Sequence, residues 1–354
     1  MKKRLPLILL MIGIVTISFS FRSPNEAVAE TSFPETKALK GQTIPIDTAL
    51  FRYPWRIRVN GDRAVIEDLH GPDYFFHLFS YPDFRYLSSF SKRGEGPEEM
   101  LQAENFRWEG ETLWTLDCNK SEMVQWQFNA NRDTLLRGHA IKLDKDLYRP
   151  LDFVLYGSNR FIIPDYLGDN RFCWVDRQGK LVRKTGDIPT TNKKALKESR
   201  PALAQAWRSF IDYNPRNGVL VAATQLGDVL EVYNLKKNTH MVKVGGQGEP
   251  QFKVSRDGYG IPTGIMGYGD VQVTDSAIYT TFEGETFKNI ASNHQKGIET
   301  RNGGNCIYVY TLEGEPLRKY ELDHYVEGIW VDEEKGIILA VDGNQDEPIV
   351  EFKI

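Results

Sequence analysis

Cysteine is scarce in this sequence: Cys118, Cys173 and Cys306 are its only three, far apart and odd in number. That pattern excludes a disulfide framework and offers no metal-ligand spacing. Cys173, in Phe172-Cys173-Trp174-Val175, and Cys306, in Asn305-Cys306-Ile307-Tyr308-Val309, read as strand interiors, where a thiol acts as a small apolar group. No disulfide is expected. Dense Lys/Arg runs are also missing beyond the first residues, which excludes nucleic acid and anionic membrane as main partners. Nothing after Phe21 is apolar for long enough to cross a bilayer. Periodic runs of helix formers are few, so a helical bundle is excluded as well.

The N-terminus is different in kind. Lys2, Lys3 and Arg4 form a positive cap, Leu5 to Phe21 is a largely apolar run, and Ala27-Val28-Ala29 supplies a small-x-small cleavage pattern. Residues 1–29 read as an export signal and 30–40 as a linker. The rival reading is an uncleaved anchor, which would use the same apolar run as a span. Cleavage before Glu30 leaves a mature chain of net charge about −7, periplasmic or secreted, with no membrane insertion.

What the sequence does have is strands. Aromatics make up 12% of the chain, and flat or branched side chains suit a pleated surface. Short apolar runs with period-2 alternation recur along the chain, with turn residues between them. A loose four-strand unit opens with Arg56-Ile57-Arg58-Val59, Ala64-Val65-Ile66-Glu67-Asp68, Tyr74 to Phe79 and Tyr86 to Phe90. Further copies begin near Phe106, Phe153, Val219, Val271 and Ile329, at an average spacing of about 54 residues. Four-stranded units at that spacing predict an all-β, six-bladed β-propeller over residues 41–354. A β-sandwich of hairpins is the competing architecture, but a sandwich rarely repeats so regularly over this length. The last copy runs short of strands, and Gly41 to Ile46 is expected to supply the missing one and close the ring. Near residues 191–209, Lys193 to Trp207 has helix chemistry. It is read as a helical insertion capped by Thr190 or Thr191, with Pro201 starting a second piece and Leu203 and Trp207 facing inward.

Lys92-Arg93-Gly94-Glu95-Gly96-Pro97-Glu98-Glu99-Met100 resembles the G-x-G-P-x-E loop after the first blade of TolB-like six-bladed propellers exported by bacteria. Ala202 to Trp207, then Asn214-Pro215-Arg216-Asn217-Gly218 and Val219 to Thr224, are similar to that family's middle helix and next blade. The resemblance covers nearly the whole mature chain and implies fold more than activity. One departure is the lack of a lipid-attachment Cys after the signal.

Chemistry is harder to find. In the glycine loop, Gly94 and Gly96 permit positive φ and Pro97 fixes the next turn, so the crossover should be stiff. Arg93, Gly94, Glu95, Gly96 and Glu98 are candidate ligand contacts at one mouth of the ring, or else a blade connector whose Arg and Glu pair together. Asp68, Asp117, Asp165, Glu283 and Asp342 each end a second strand, with Thr224 in the fourth copy. Such a ring of acids, Asp117 and Asp165 above all, is a candidate Ca²⁺ site of the propeller-lactonase kind. The simpler role for each is to cap its own turn. Asp342 to Asp346 opens like a Ca²⁺ loop, but Glu347 and Lys353 stand where Gly and Glu belong. The six histidines lack zinc spacing, and no G-x-S-x-G elbow is present. The seven tryptophans mostly fall at inward strand positions, as core rather than a glycan platform.

The sequence therefore predicts an exported, monomeric, non-catalytic binding or scaffold propeller with no cofactor. Its ligand would be a protein or envelope polymer, engaged through one face of the ring. A cation-dependent lactonase-like or lyase-like enzyme and a glycan-binding module are the alternatives.

Overall fold

A computed structural model describes residues 31–46 and 51–354; the proposed signal at 1–29 lies outside them. Two short strands come first, β1 (Thr36–Leu39) and β2 (Gln42–Thr43). Blade 1 is β3 (Pro54–Asn60), β4 (Arg63–Asp68), β5 (Tyr74–Ser80) and β6 (Tyr86–Lys92). Blade 2 is β7 (Ala103–Glu109), β8 (Thr112–Asp117), β9 (Glu122–Phe128) and β10 (Leu135–Lys142). Blade 3 is β11 (Val154–Tyr156), β12 (Arg160–Pro164), β13 (Phe172–Asp176) and β14 (Leu181–Thr185). Helices α1 (Lys193–Glu198) and α2 (Arg200–Ala206) then precede blade 4, which is β15 (Ser209–Asn214), β16 (Val219–Thr224), β17 (Val229–Asn234) and β18 (Thr239–Val244).

A separate hairpin, β19 (Phe252–Val254) and β20 (Gly260–Pro262), leads to blade 5. That blade holds β21 (Tyr268–Val273), β22 (Ala277–Phe282), α3 (Phe287–Gln295), β23 (Gly304–Thr311) and β24 (Pro316–Val326). Blade 6 has β25 (Ile329–Asp332), β26 (Ile337–Val341) and β27 (Ile349–Lys353).

The blades stand face to face, and the second strands show why their sequences fold this way. Their alternating side chains enter two different interfaces. In β4, Val65 packs toward blade 2 with Phe76, Phe106 and Trp126, while Ala64 and Ile66 pack toward blade 6 with Leu339 and Val341. In β16, Leu220 and Ala222 meet blade 3, and Val219 and Val221 meet blade 5. Both faces of such a strand are buried, so Val219 to Ala223 reads as one continuous apolar run. Every junction between neighbouring blades has its own hydrophobic cluster. Five of the seven tryptophans are core; Trp108 and Trp330 are only half-buried.

Ring closure uses the N-terminus. β2 pairs antiparallel with β27, Gln42 opposite Glu351 and Thr43 opposite Val350, and the Ile44 N–H donates to Ile349 O at 2.8 Å. Blade 6 thus becomes four-stranded with a strand from each end of the chain, and its edge is covered. β1, inside the stretch read as a linker, adds a fifth, parallel strand outside β24. Its polar residues gave no alternation to signal it.

The helical insertion is present, with one correction. Asn192 rather than Thr190 or Thr191 caps α1, its side chain accepting the Ala195 N–H at 3.0 Å. The Thr190 hydroxyl instead donates to Glu249 Oε2 at 2.6 Å. Pro201 sits in the first turn of α2, where its missing N–H costs nothing, and Leu203 and Trp207 are fully buried.

The connections are sharply unequal. On one face, first strands join second strands and third join fourth through tight turns such as 61–62, 110–111 and 235–238. On the other lie 93–102, 143–153, 186–208, 245–267 and 283–303, which carry the glycine loop, all three helices and the extra hairpin. These are called here the turn face and the loop face.

Ile44→Pro removes one closing hydrogen bond and should cost about 2 kcal/mol or more. A lowered urea midpoint with an unchanged slope would bear this out; an unchanged midpoint would mean the β2–β27 pairing does not hold the ring shut.

Candidate functional site

The innermost strands meet around a polar axis, where each leaves an unpaired edge that must find partners. One or more side chains bridge every blade junction to the neighbour's backbone. From blade 1 to 2, Arg56 Nη1 donates to Glu104 O (3.1 Å); from 2 to 3, Arg107 Nε donates to Phe153 O (2.8 Å). From 3 to 4, Asp152 accepts the Ile211 N–H (2.9 Å); from 4 to 5, Asp212 accepts the Val273 N–H (2.7 Å). Asp270 and Gln272 join 5 to 6, accepting from Ile329 (3.1 Å) and Val331 (2.8 Å). Arg58 Nη1 closes the circle by donating to Ile329 O (2.8 Å).

The charges on this axis are matched. Arg58 forms a two-pronged pair with Asp270 (3.0 and 3.1 Å), and Arg56 Nε reaches the same carboxylate at 3.3 Å. Arg107 bonds Asp212 at 2.6 Å and approaches Asp152 at 3.4 Å. Burial works against charge on Asp270, but facing Arg58 and Arg56 outweigh it and hold the carboxyl below its usual range. On Asp212 burial wins over Arg107 and the value is raised. Glu67, on β4 beside Arg56, is fully buried and neither carboxyl oxygen has a hydrogen-bond partner. Burial pushes it up to about 8, with Arg56 pulling the other way.

Each mouth of the axis is concave. On the turn face a cavity of about 490 Å³ is lined by Trp108, Tyr213 and Trp330 together with Arg58 and Arg107. On the loop face Tyr53 donates to Glu327 at 2.9 Å, and burial raises Glu327 and neighbouring Glu283 to about 7. Arg208, which follows α2, pairs with Glu104 at 3.0 Å on that same face.

The glycine loop is a connector with two exposed acids. Arg93 donates to Gly71 O (2.9 Å) and Leu69 O (2.6 Å) and lies over the Phe75 ring, so it ties the loop to blade 1. Glu99 takes the role of internal partner, accepting from Lys92 (2.8 Å) and the Gly96 N–H (3.0 Å). Gly94 has φ +156°, and any Cβ there would run into the Glu99 carboxylate. Gly96 needs no positive φ; its small size serves the same close approach. Glu95 and Glu98 are exposed.

The acids after second strands cap turns. Asp117 accepts N–H groups of Leu101, Asn119 and Lys120; Asp165 accepts those of Leu167 and Asn170 and pairs with Lys184. Asp68 and Asp342 do likewise, and the Thr224 hydroxyl accepts the Val229 N–H. Glu283 departs from this pattern by joining the Tyr53–Glu327 cluster. Sequence reading missed Arg56, Arg58, Arg107, Asp152, Asp212 and Asp270. Polar residues at inward positions of first strands were the available signal.

With six blades around a polar axis established, five of four strands and one widened to five by β1, residues 32–334 match the family described as TolB-like 6-blade propeller-like. The chain belongs to that family. Among solved structures, a Bacteroides vulgatus member of the DUF4221 family is similar at 12% identity and TM-score 0.56, covering 92% of this chain and 98% of that one. A Bacteroides fragilis protein assigned as exported is similar at 10% identity and TM-score 0.52, covering 90% and 98%. At such identity these likenesses speak for fold alone. No curated protein matches by sequence. Among the described residues no helix is long and apolar enough to cross a membrane.

Because Glu67 holds a proton more tightly folded than unfolded, stability should fall as pH rises from its unfolded range near 4.5 toward 8. Glu67→Gln should flatten that decline and raise the melting temperature at pH 8.5. An unchanged pH profile would show Glu67 to be ionised and paired. Asp270→Asn leaves buried arginines unpaired and should cost about 3–5 kcal/mol at pH 7 by chemical denaturation.

Proposed function

We propose that the chain is an exported, non-catalytic propeller that binds a protein or envelope polymer through its loop face. The observation that carries this reading is the unequal distribution of connections. Among the described residues, the segments that carry the three helices and the extra hairpin stand on one face, while the strand connections on the other are at most six residues long. Loops set on a rigid scaffold are where proteins place recognition, since they vary without disturbing the core. The candidate contacts Glu95 and Glu98 lie on this face, exposed, with Arg93 and Gly94 to Gly96 holding them in place. Export is supported by the N-terminal pattern of Lys2 to Ala29.

The cation-enzyme alternative asks Asp117 and Asp165 to bind Ca²⁺. Both carboxylates already accept turn N–H groups, and Asp165 also pairs with Lys184. A Ca²⁺ titration is expected to leave the melting temperature unchanged. A rise abolished by Asp117→Asn and Asp165→Asn would favour the enzyme.

A photo-crosslinking residue at Asp257, in the loop-face hairpin, should give discrete adducts in intact cells; one at Glu313, on the turn face, should give none. Adducts from position 313 alone would overturn the assignment of the face.

A further inference from the structure

Beside the Glu104–Arg208 pair, the loop face contains a small cavity of about 240 Å³ whose lining includes Arg149, Tyr166, Gln205, Arg208 and Gln225. Tyr166 is 2% exposed, yet its hydroxyl has no hydrogen-bond partner. A buried tyrosine hydroxyl ordinarily finds one, because leaving it unmade forfeits its hydration. Burial, partly offset by Arg208, pushes Tyr166 up to about 12, so at neutral pH the group is an O–H donor. Arg149 is exposed at the rim, held at φ +45°, and makes no hydrogen bond or ion pair among the described residues. Arg208 gives Nη2 to Glu104, and Gln205 accepts the Gly260 N–H through Oε1, which leaves its amide donors over. Among the lining side chains donors therefore outnumber acceptors, and Glu104 and Asp152 are the carboxylates close by.

We infer that this cavity is a recognition site for the C-terminal carboxylate of a polypeptide, with Arg149 and Arg208 as its cationic partners and the Tyr166 hydroxyl as a neutral donor. The inference rests on the loop-face reading above and specifies what that face grips. A guanidinium matches a carboxylate in planar, two-pronged fashion, and a second donor fixes its orientation. The volume is below the roughly 300–1,000 Å³ of pockets that enclose drug-sized ligands, so a chain end fits and a length of polymer does not. Leu151, Leu226 and the exposed Tyr148 give an apolar wall for a terminal side chain, and the two glutamines suit a peptide amide. A sugar acid would instead ask for partners to several hydroxyls.

The test uses purified mature protein and acetyl-Ala-Leu as free acid, with binding read from broadening of the acetyl methyl NMR signal. The free acid should bind, and its C-terminal amide should bind at least about tenfold more weakly. Arg149→Ala and Tyr166→Phe should each weaken the free acid by about tenfold. Arg216→Ala, on the turn face, should change nothing. Tyr166→Phe should also leave the melting temperature unaltered, since the hydroxyl it removes has no internal bond to lose. Equal binding of acid and amide overturns the proposal, as does glucuronate or inorganic phosphate binding as tightly as the peptide acid. If Arg149→Ala keeps every adduct formed from position 257, the loop-face reading stands and the carboxylate site alone falls.

Discussion

A strand at the rim of a sheet has N–H and C=O groups that nothing within that sheet can satisfy. Six blades set radially bring six such rims together at one axis, where water is scarce. This chain meets that constraint with side chains that reach across to the next blade's backbone, at all six junctions. The bridging groups are arginines and carboxylates, whose charges then have to be matched in a place where isolated charge is costly. Arg58 against Asp270 and Arg107 against Asp212 do that matching. The axis is therefore a structural device first, and its ionic character follows from the geometry of closure.

That device has a consequence for the two faces. Tight turns and crossed hydrogen bonds hold the turn face, where half-buried Trp108 and Trp330 frame the axis beside the paired arginines. The loop face is built differently. Segments there are long enough to fold into helices and a hairpin, and they rest on the blades through buried anchors such as Leu203 and Trp207. Asp68, Asp117 and Asp165 spend their oxygens on the backbone of that face's turns. Glu283 and Glu327, both raised by burial, gather on this face with Glu285 close by, and Arg56 only partly offsets the effect at Glu327.

The architecture was legible because burial on both sides of a second strand imposes period-2 packing into two clusters, and runs such as Ile337 to Val341 display it directly. Closure through the Ile44 segment followed from a shortage of strands in the last unit. β1 escaped because an edge strand exposed along most of its length needs no apolar alternation. Helix α3 escaped for a related reason: none of its residues is buried, so no periodic stripe marks it. The site was less legible than the fold. Arg56 and Asp270 are far apart in sequence, and no local spacing announces that the ring brings them within 3.3 Å. The glycine loop was visible, but which acid would turn inward was not. Glu99 did, because Gly94 and Gly96 leave room for its carboxylate.

β1 and β2 also set an order of events. Both lie near the start of the chain, and their partners, β24 and β27, lie near its end. As the chain leaves the ribosome, residues 36–43 must therefore wait without a sheet to join until residues 316–353 have followed. Pairings so distant in sequence are slow to form, since a long loop must close before they yield any bonds. The first strands made are the last to be placed, and until then blade 6 has an open edge that another chain could occupy.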